Sequence, residues 1–149
     1  MKKLIATLVM AAASISGGLA HAQTQPATAS TILVEFQGPG GHSSGNYGRT
    51  SALHAAARAV MALQKAGLPA GSYAITDLAG GNSVNSIASD GKFVAKLNAQ
   101  SGVAAEEFLA KVTEAAKAGT DAENAFRNVK PGDLTAGAPA DIRYSVKPQ

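Results

Sequence analysis

The side chains suited to chemistry gather around one glycine-rich stretch. His42 lies in Gly38-Pro39-Gly40-Gly41-His42-Ser43-Ser44. Glycines ahead of a histidine let the backbone approach a ligand or another chain closely. His42 is therefore a candidate ligand or electrostatic donor at a strand end; the alternative is a solvated loop histidine. A serine triad built on Ser43 or Ser44 is not expected, because residues next to His42 in sequence do not face it usefully. The loop also lacks G-x-G-x-x-G and a following Gly-Lys-Ser/Thr, so it is not a phosphate cradle. A second candidate stretch is Gly80-Gly81-Asn82-Ser83-Val84-Asn85. There Asn82 and Asn85 are either turn residues that bond their own backbone or amides that contact substrate. Glu106 and Glu107 are adjacent on a helix and diverge by about 100°, so they form a solvated first turn and not an acid pair. His54 falls among helical alanines and is expected at the surface or an interface. Zinc needs three or four ligands at suitable spacing. His42 and His54 lie in different elements, and with no H-x-D, no H-E-x-x-H and no cysteine in the sequence they do not supply them. Neither a metal site nor a cofactor is expected in the chain itself.

Periodicity predicts the elements that must position these residues. Thr31–Gln37 reads as a strand ending at the Gly-Pro-Gly-Gly breaker, and Gly38–Arg49 as a loop. Thr50 or Ser51 caps a helix running to about Ala66, stopped by Gly67 with Pro69 beyond. Ser72–Leu78 is a second strand, Ala79–Ser83 a turn, and Val84–Ile87 a short extended segment. Lys92–Asn98 is a third strand entered through Asp90-Gly91, read as a hairpin signal. Ser101 caps a second helix from Val103 to about Ala118, with Lys117 near its end. Gly119–Ala140 is irregular, with room for a helical turn at Ala122–Asn128, and Asp141–Lys147 is a last strand. The order β-α-β-β-α-β predicts an α+β, ferredoxin-like sandwich: a four-stranded antiparallel sheet with both helices on one face. Such a sheet leaves edge strands to be managed, and pairing with a second copy is one way.

At 149 residues the chain holds one domain, and 46% hydrophobic content is too apolar for a disordered one. Met1–Ala22 reads as a secretory signal peptide. Lys2 and Lys3 open it, an uncharged run of about 17 residues follows, and Ala20-His21-Ala22 supplies small residues before a cut at Gln23. Gln23–Ser30 is a short polar leader, and residues 31–149 form the domain. Periplasmic or secreted localisation follows, with no stable membrane anchor after cleavage. Without Lys2 and Lys3, the formal charge of +3 falls to +1. The remaining charges are scattered singly, which excludes the basic stripe of a nucleic-acid binder.

GPGGHSSGNYGRTSALHAAARAVMAL followed by ITDLAGGNSVNSIASD resembles the dimerisation (lid) domain of the zinc-dependent exopeptidase and aminoacylase family. That family includes glutamate carboxypeptidases, tripeptide aminopeptidase and succinyl-diaminopimelate desuccinylase. The resemblance covers Thr31–Asn98 and extends to Lys147, and it implies the same βαββαβ lid. In the family the lid is inserted into a catalytic domain that holds two zinc ions through an H-x-D motif, a bridging Asp and a Glu-Glu pair. No H-x-D is in this sequence, and Glu106-Glu107 lies inside the stretch that the lid resemblance covers, so the resemblance implies the lid without the enzyme. It matches His42 to the lid histidine that reaches a partner's zinc site and stabilises an oxyanion. It matches Asn85 to a substrate-contacting asparagine, and Gly80 and Gly81 to the turn before it. Two departures stand out: Ala88 replaces a usual Pro, and Lys96-Leu97-Asn98 replaces D-[IM]-R, so Asn98 stands where a substrate-facing Arg is usual.

Three functions are expected in order. The first is a non-catalytic, exported dimerisation module, forming a homodimer through an edge strand and the small residues Ala52, Ala55, Ala56 and Ala59 of the first helix. The second is an accessory subunit that offers His42 in trans to a full-length zinc exopeptidase. The third is a small-molecule or peptide binder using the glycine-rich loop and the Asn82/Asn85 turn.

Overall fold

The computed structural model describes residues 30–149. The expected signal peptide at Met1–Ala22, and the polar leader up to residue 29, lie outside them. β1, Thr31–Gln37, alternates as its β-branched and aromatic residues require: Ile32, Val34 and Phe36 are buried and the residues between them are not. β2 is the two-residue strand Gly41–His42. α1 is Ala52–Gln64, and the Ser51 side chain caps it by accepting from the His54 N–H. β3 is Tyr73–Ala79, β4 is Ser86–Ile87 and β5 is Asp90–Leu97. α2 is Ala105–Phe126. β6, Leu134–Thr135, and β7, Ala138–Pro139, form a small hairpin before β8, Arg143–Pro148.

The main sheet has the order β3-β5-β1-β8 and is antiparallel throughout. Both helices pack on the face that carries Ile32, Val34, Phe36, Phe93 and Ala95, α1 towards β5 and β3 and α2 towards β8. The predicted α+β sandwich is thus the observed one. Its centre is aromatic: Phe36 and Phe93 lie 6.2 Å apart and Tyr73 and Phe108 lie 5.8 Å apart, ring centre to ring centre. Burying each phenylalanine contributes about 2–3 kcal/mol. The other sheet face is open and carries Lys92, Lys96, Lys147 and Glu35. Lys147 hydrogen-bonds Glu35 and holds its carboxyl below the usual value. No helix among the described residues is long and apolar enough to cross a membrane.

Four expectations need correction. Asp90-Gly91 is not a hairpin turn but the start of β5, because both residues continue the ladder opposite Gln37 and Phe36. The connection from β3 instead spends residues 80–89, where β4 pairs with β2. Ser101 does not cap the second helix. It accepts from Val103 N–H ahead of the helix, whose true cap position, Ala104, has no capping side chain. Glu106 and Glu107, both exposed in the first turn, place negative charge there instead.

The third correction concerns Gly119, which does not stop α2; the helix runs on to Phe126. This glycine is where α2 presses on α1. A Cβ there would lie 2.5 Å from both the Ala55 carbonyl oxygen and the Ala59 nitrogen. The fourth follows from the same contact. Ala52, Ala55, Ala56 and Ala59 are fully buried inside the domain and form no outer surface for a partner.

Gly119→Ala tests this contact by its sign. In an open helix the change would stabilise by about 1 kcal/mol. Here it is expected to destabilise by about 1–3 kcal/mol through overpacking, read by chemical denaturation. A gain in stability would show that the helices part freely.

Candidate functional site

The two glycine-rich stretches, far apart in sequence, meet at one end of the sheet. β2 and β4 pair so that His42 stands opposite Ser86, and Ser43 N–H donates to the Asn85 carbonyl at 2.9 Å. This ladder brings the imidazole to Asn85: His42 Nε2 and the Asn85 side-chain Nδ2 are 3.1 Å apart. The other ring nitrogen, Nδ1, accepts from the Ser44 backbone N–H at 3.3 Å and lies 2.9 Å from the Ser44 hydroxyl. Each ring nitrogen thus has a polar neighbour, and the two together fix the orientation of the ring. The result is an exposed pair of polar groups, aimed outward and oriented by neighbours on both sides. Asn46 folds back to donate to the His42 carbonyl at 2.8 Å, and Arg49 donates to the Gly40 carbonyl at 3.1 Å.

His42 and Asn85 are brought together; Asn82 stays exposed at the turn. Gly80 and Gly81 shape the backbone. A Cβ on Gly80 would lie 2.4 Å from the Asp90 carbonyl oxygen, and Gly81 has φ +77°. The Gly81 N–H donates to the Asp90 carboxylate. Ala88 is buried and its carbonyl accepts from Ala52 N–H, tying this loop to the start of α1. Asn98 lies at the far end of β5, bonded to the Gly71 carbonyl. Among the described residues, no three His, Cys, Asp or Glu side chains converge as a metal would require.

The residue that sequence reasoning missed is Glu123. Its side chain is fully buried. Oε1 accepts from the Ser51 backbone N–H at 3.0 Å, and Oε2 accepts from Arg58 Nε at 3.0 Å. Arg127 Nε donates to Oε1 at 3.4 Å, and His54, exposed as expected, brings Nδ1 within 3.8 Å. Arg58 and Arg127 each also lie 4.9 Å from the centre of the Phe126 ring. A buried carboxylate persists only when so paired. Two further ties act alongside. The Thr50 hydroxyl donates to the Ala140 carbonyl, and Asn124 takes both the N–H and the carbonyl of Ile142. The C-terminal turns of α2 thus hold the end of the His42 loop in place. A signal was present: Glu123 continues the buried stripe of Phe108, Val112, Ala116 and Gly119, legible once the helix is carried past Gly119.

A family model described as the peptidase dimerisation domain matches residues 24–124. Solved structures share the fold. One is an aminobenzoyl-glutamate utilization protein from Klebsiella pneumoniae: 17% identity and TM-score 0.52 over 79% of this chain and 27% of that one. Another is a hydantoinase/carbamoylase family amidase from Burkholderia ambifaria: 18% identity and TM-score 0.53 over 78% of this chain and 26% of that one. The chain therefore spans about a quarter of the length of these proteins. Comparison with curated proteins found no match.

Glu123→Ala leaves the Ser51 N–H without its buried acceptor and two guanidinium groups without their anion. It is expected to destabilise by about 2–4 kcal/mol in urea unfolding. A loss below about 0.5 kcal/mol would show that Glu123 is not the anchor of the loop.

Proposed function

This chain belongs to the peptidase dimerisation domain family, and from that premise we propose that it is a non-catalytic module that pairs with a second copy of itself. The observation that carries this reading is the family match over residues 24–124. The architecture supports it physically. β3 and β8 are edge strands of the sheet, and an edge offers a row of backbone groups for pairing. With the alanine row of α1 consumed inside the domain, the pairing surface is the β3 edge with the outer side of α1. There Met61 is 56% exposed and Leu78 is 44% exposed. Export to the periplasm or medium is part of the proposal and rests on the Met1–Ala22 pattern. The module has no cofactor of its own, and hydrolytic chemistry of the kind its relatives' names state belongs to a catalytic partner.

The exposed His42–Asn85 pair favours a second reading, an accessory role towards a zinc-dependent exopeptidase. An imidazole presented outward can place its N–H against an oxyanion developing on another subunit. Tyr47 and Val84, almost wholly exposed beside it, would then be covered by that partner.

Sedimentation of the full chain at tens of micromolar is expected to show a dimer, weakened at least about tenfold by Met61→Glu. A wild-type monomer throughout that range would overturn the first reading. Affinity purification from native extract tests the second. A co-purifying peptidase is expected to lose about 10²–10³-fold in kcat when His42→Ala replaces the wild type, and an unchanged rate would count against it.

A further inference from the structure

A cavity of about 260 Å³ opens beside the His42–Asn85 pair, between the start of α1 and the β4 segment. Arg49, Arg127 and His54 line its polar side, and Leu53, Ile87 and Ala88 line its apolar side. The charges around it do not balance. Glu123 is the carboxylate in contact with this cluster, and it faces Arg58 and Arg127 together. Arg49 adds a further positive charge and has no ion pair among the described residues. Its Nη1 donates to the Gly40 carbonyl, and Arg127 spends its Nε on Glu123. Each guanidinium keeps N–H donors beyond those. Guanidinium groups bind planar oxyanions through paired hydrogen bonds. An apolar wall opposite them suits an anion that carries hydrocarbon, and the volume restricts that hydrocarbon to a few carbons.

We propose that this cavity binds a small organic carboxylate, its head group on Arg49 and Arg127 and its short tail on Leu53, Ile87 and Ala88. The site requires no second copy and no zinc partner, so it stands whether or not the chain dimerises.

Calorimetric titration of the full chain with 4-methylpentanoate tests it, with 4-methylpentanamide and inorganic phosphate as companions. One-to-one saturation by the carboxylate is expected, weakening as salt rises. The amide should bind at least about tenfold more weakly, since it lacks the charge. Arg49→Gln is the informative variant, because Arg49 does not touch the buried carboxylate. It should weaken carboxylate binding at least about tenfold. Amide NMR signals of Leu53, His54 and Ile87 should move on titration of the wild type. Absence of saturation, equal binding of the amide or of phosphate, or unchanged affinity in folded Arg49→Gln would overturn the proposal. If that variant does not fold, the wild-type NMR map decides: shifts confined to the lysines of the open sheet face would overturn it as well.

Discussion

One buried carboxylate organises this domain. Glu123 sits in the interior and satisfies three donors from two elements: the backbone at the head of α1, Arg58 about two turns further on, and Arg127 at the end of α2. Removing a charge from water is costly, and the cost is offset only when every lone pair finds a donor. That requirement fixes relative positions. Ser51 must meet the last turns of α2, so the loop that ends at Ser51 is held at that end. His42 inherits its placement from this anchor as much as from its own two-residue ladder.

A second constraint is steric and has a consequence for association. Four alanines of α1 and Gly119 of α2 bring the helices so close that no side chain fits between them at that point. Small residues on a helix are often read as an outer contact surface, and in this chain they are the inner one. Close helix packing lets two helices cover one sheet face with a small core, which suits a domain of this size. Any partner must therefore use what remains outside: the edge strands, the outer side of α1 and the exposed side chains around His42.

The end of the molecule that carries His42 combines features usually kept apart. An oriented polar pair, exposed aromatic and aliphatic side chains and a cationic cavity lie within one cluster of loops. Rigid backing from α1, α2 and β5 holds them, and the loops contribute the variable chemistry. Family membership accounts for the frame and the paired loops. Arg127 lies beyond the residues that the family model matches.

Local patterns specify the element order, the four main strands and a helix cap at Thr50 or Ser51, because strand propensity, helical spacing and capping are local properties. The positions of His42 and Asn85 in glycine-rich turns were legible for the same reason, and the resemblance linked them. Tertiary structure alone decided the rest. Gly119 looked like a stop because glycine disfavours helix, yet packing against α1 outweighs a propensity of about 1 kcal/mol. Asp90-Gly91 looked like a turn because its dipeptide is one, yet pairing with β1 extended the strand through it. Glu123 gave no local signal of its role, because two of its three donors come from residues 65 and 72 positions away. Each was settled by contacts between distant parts of the chain, which no local pattern encodes.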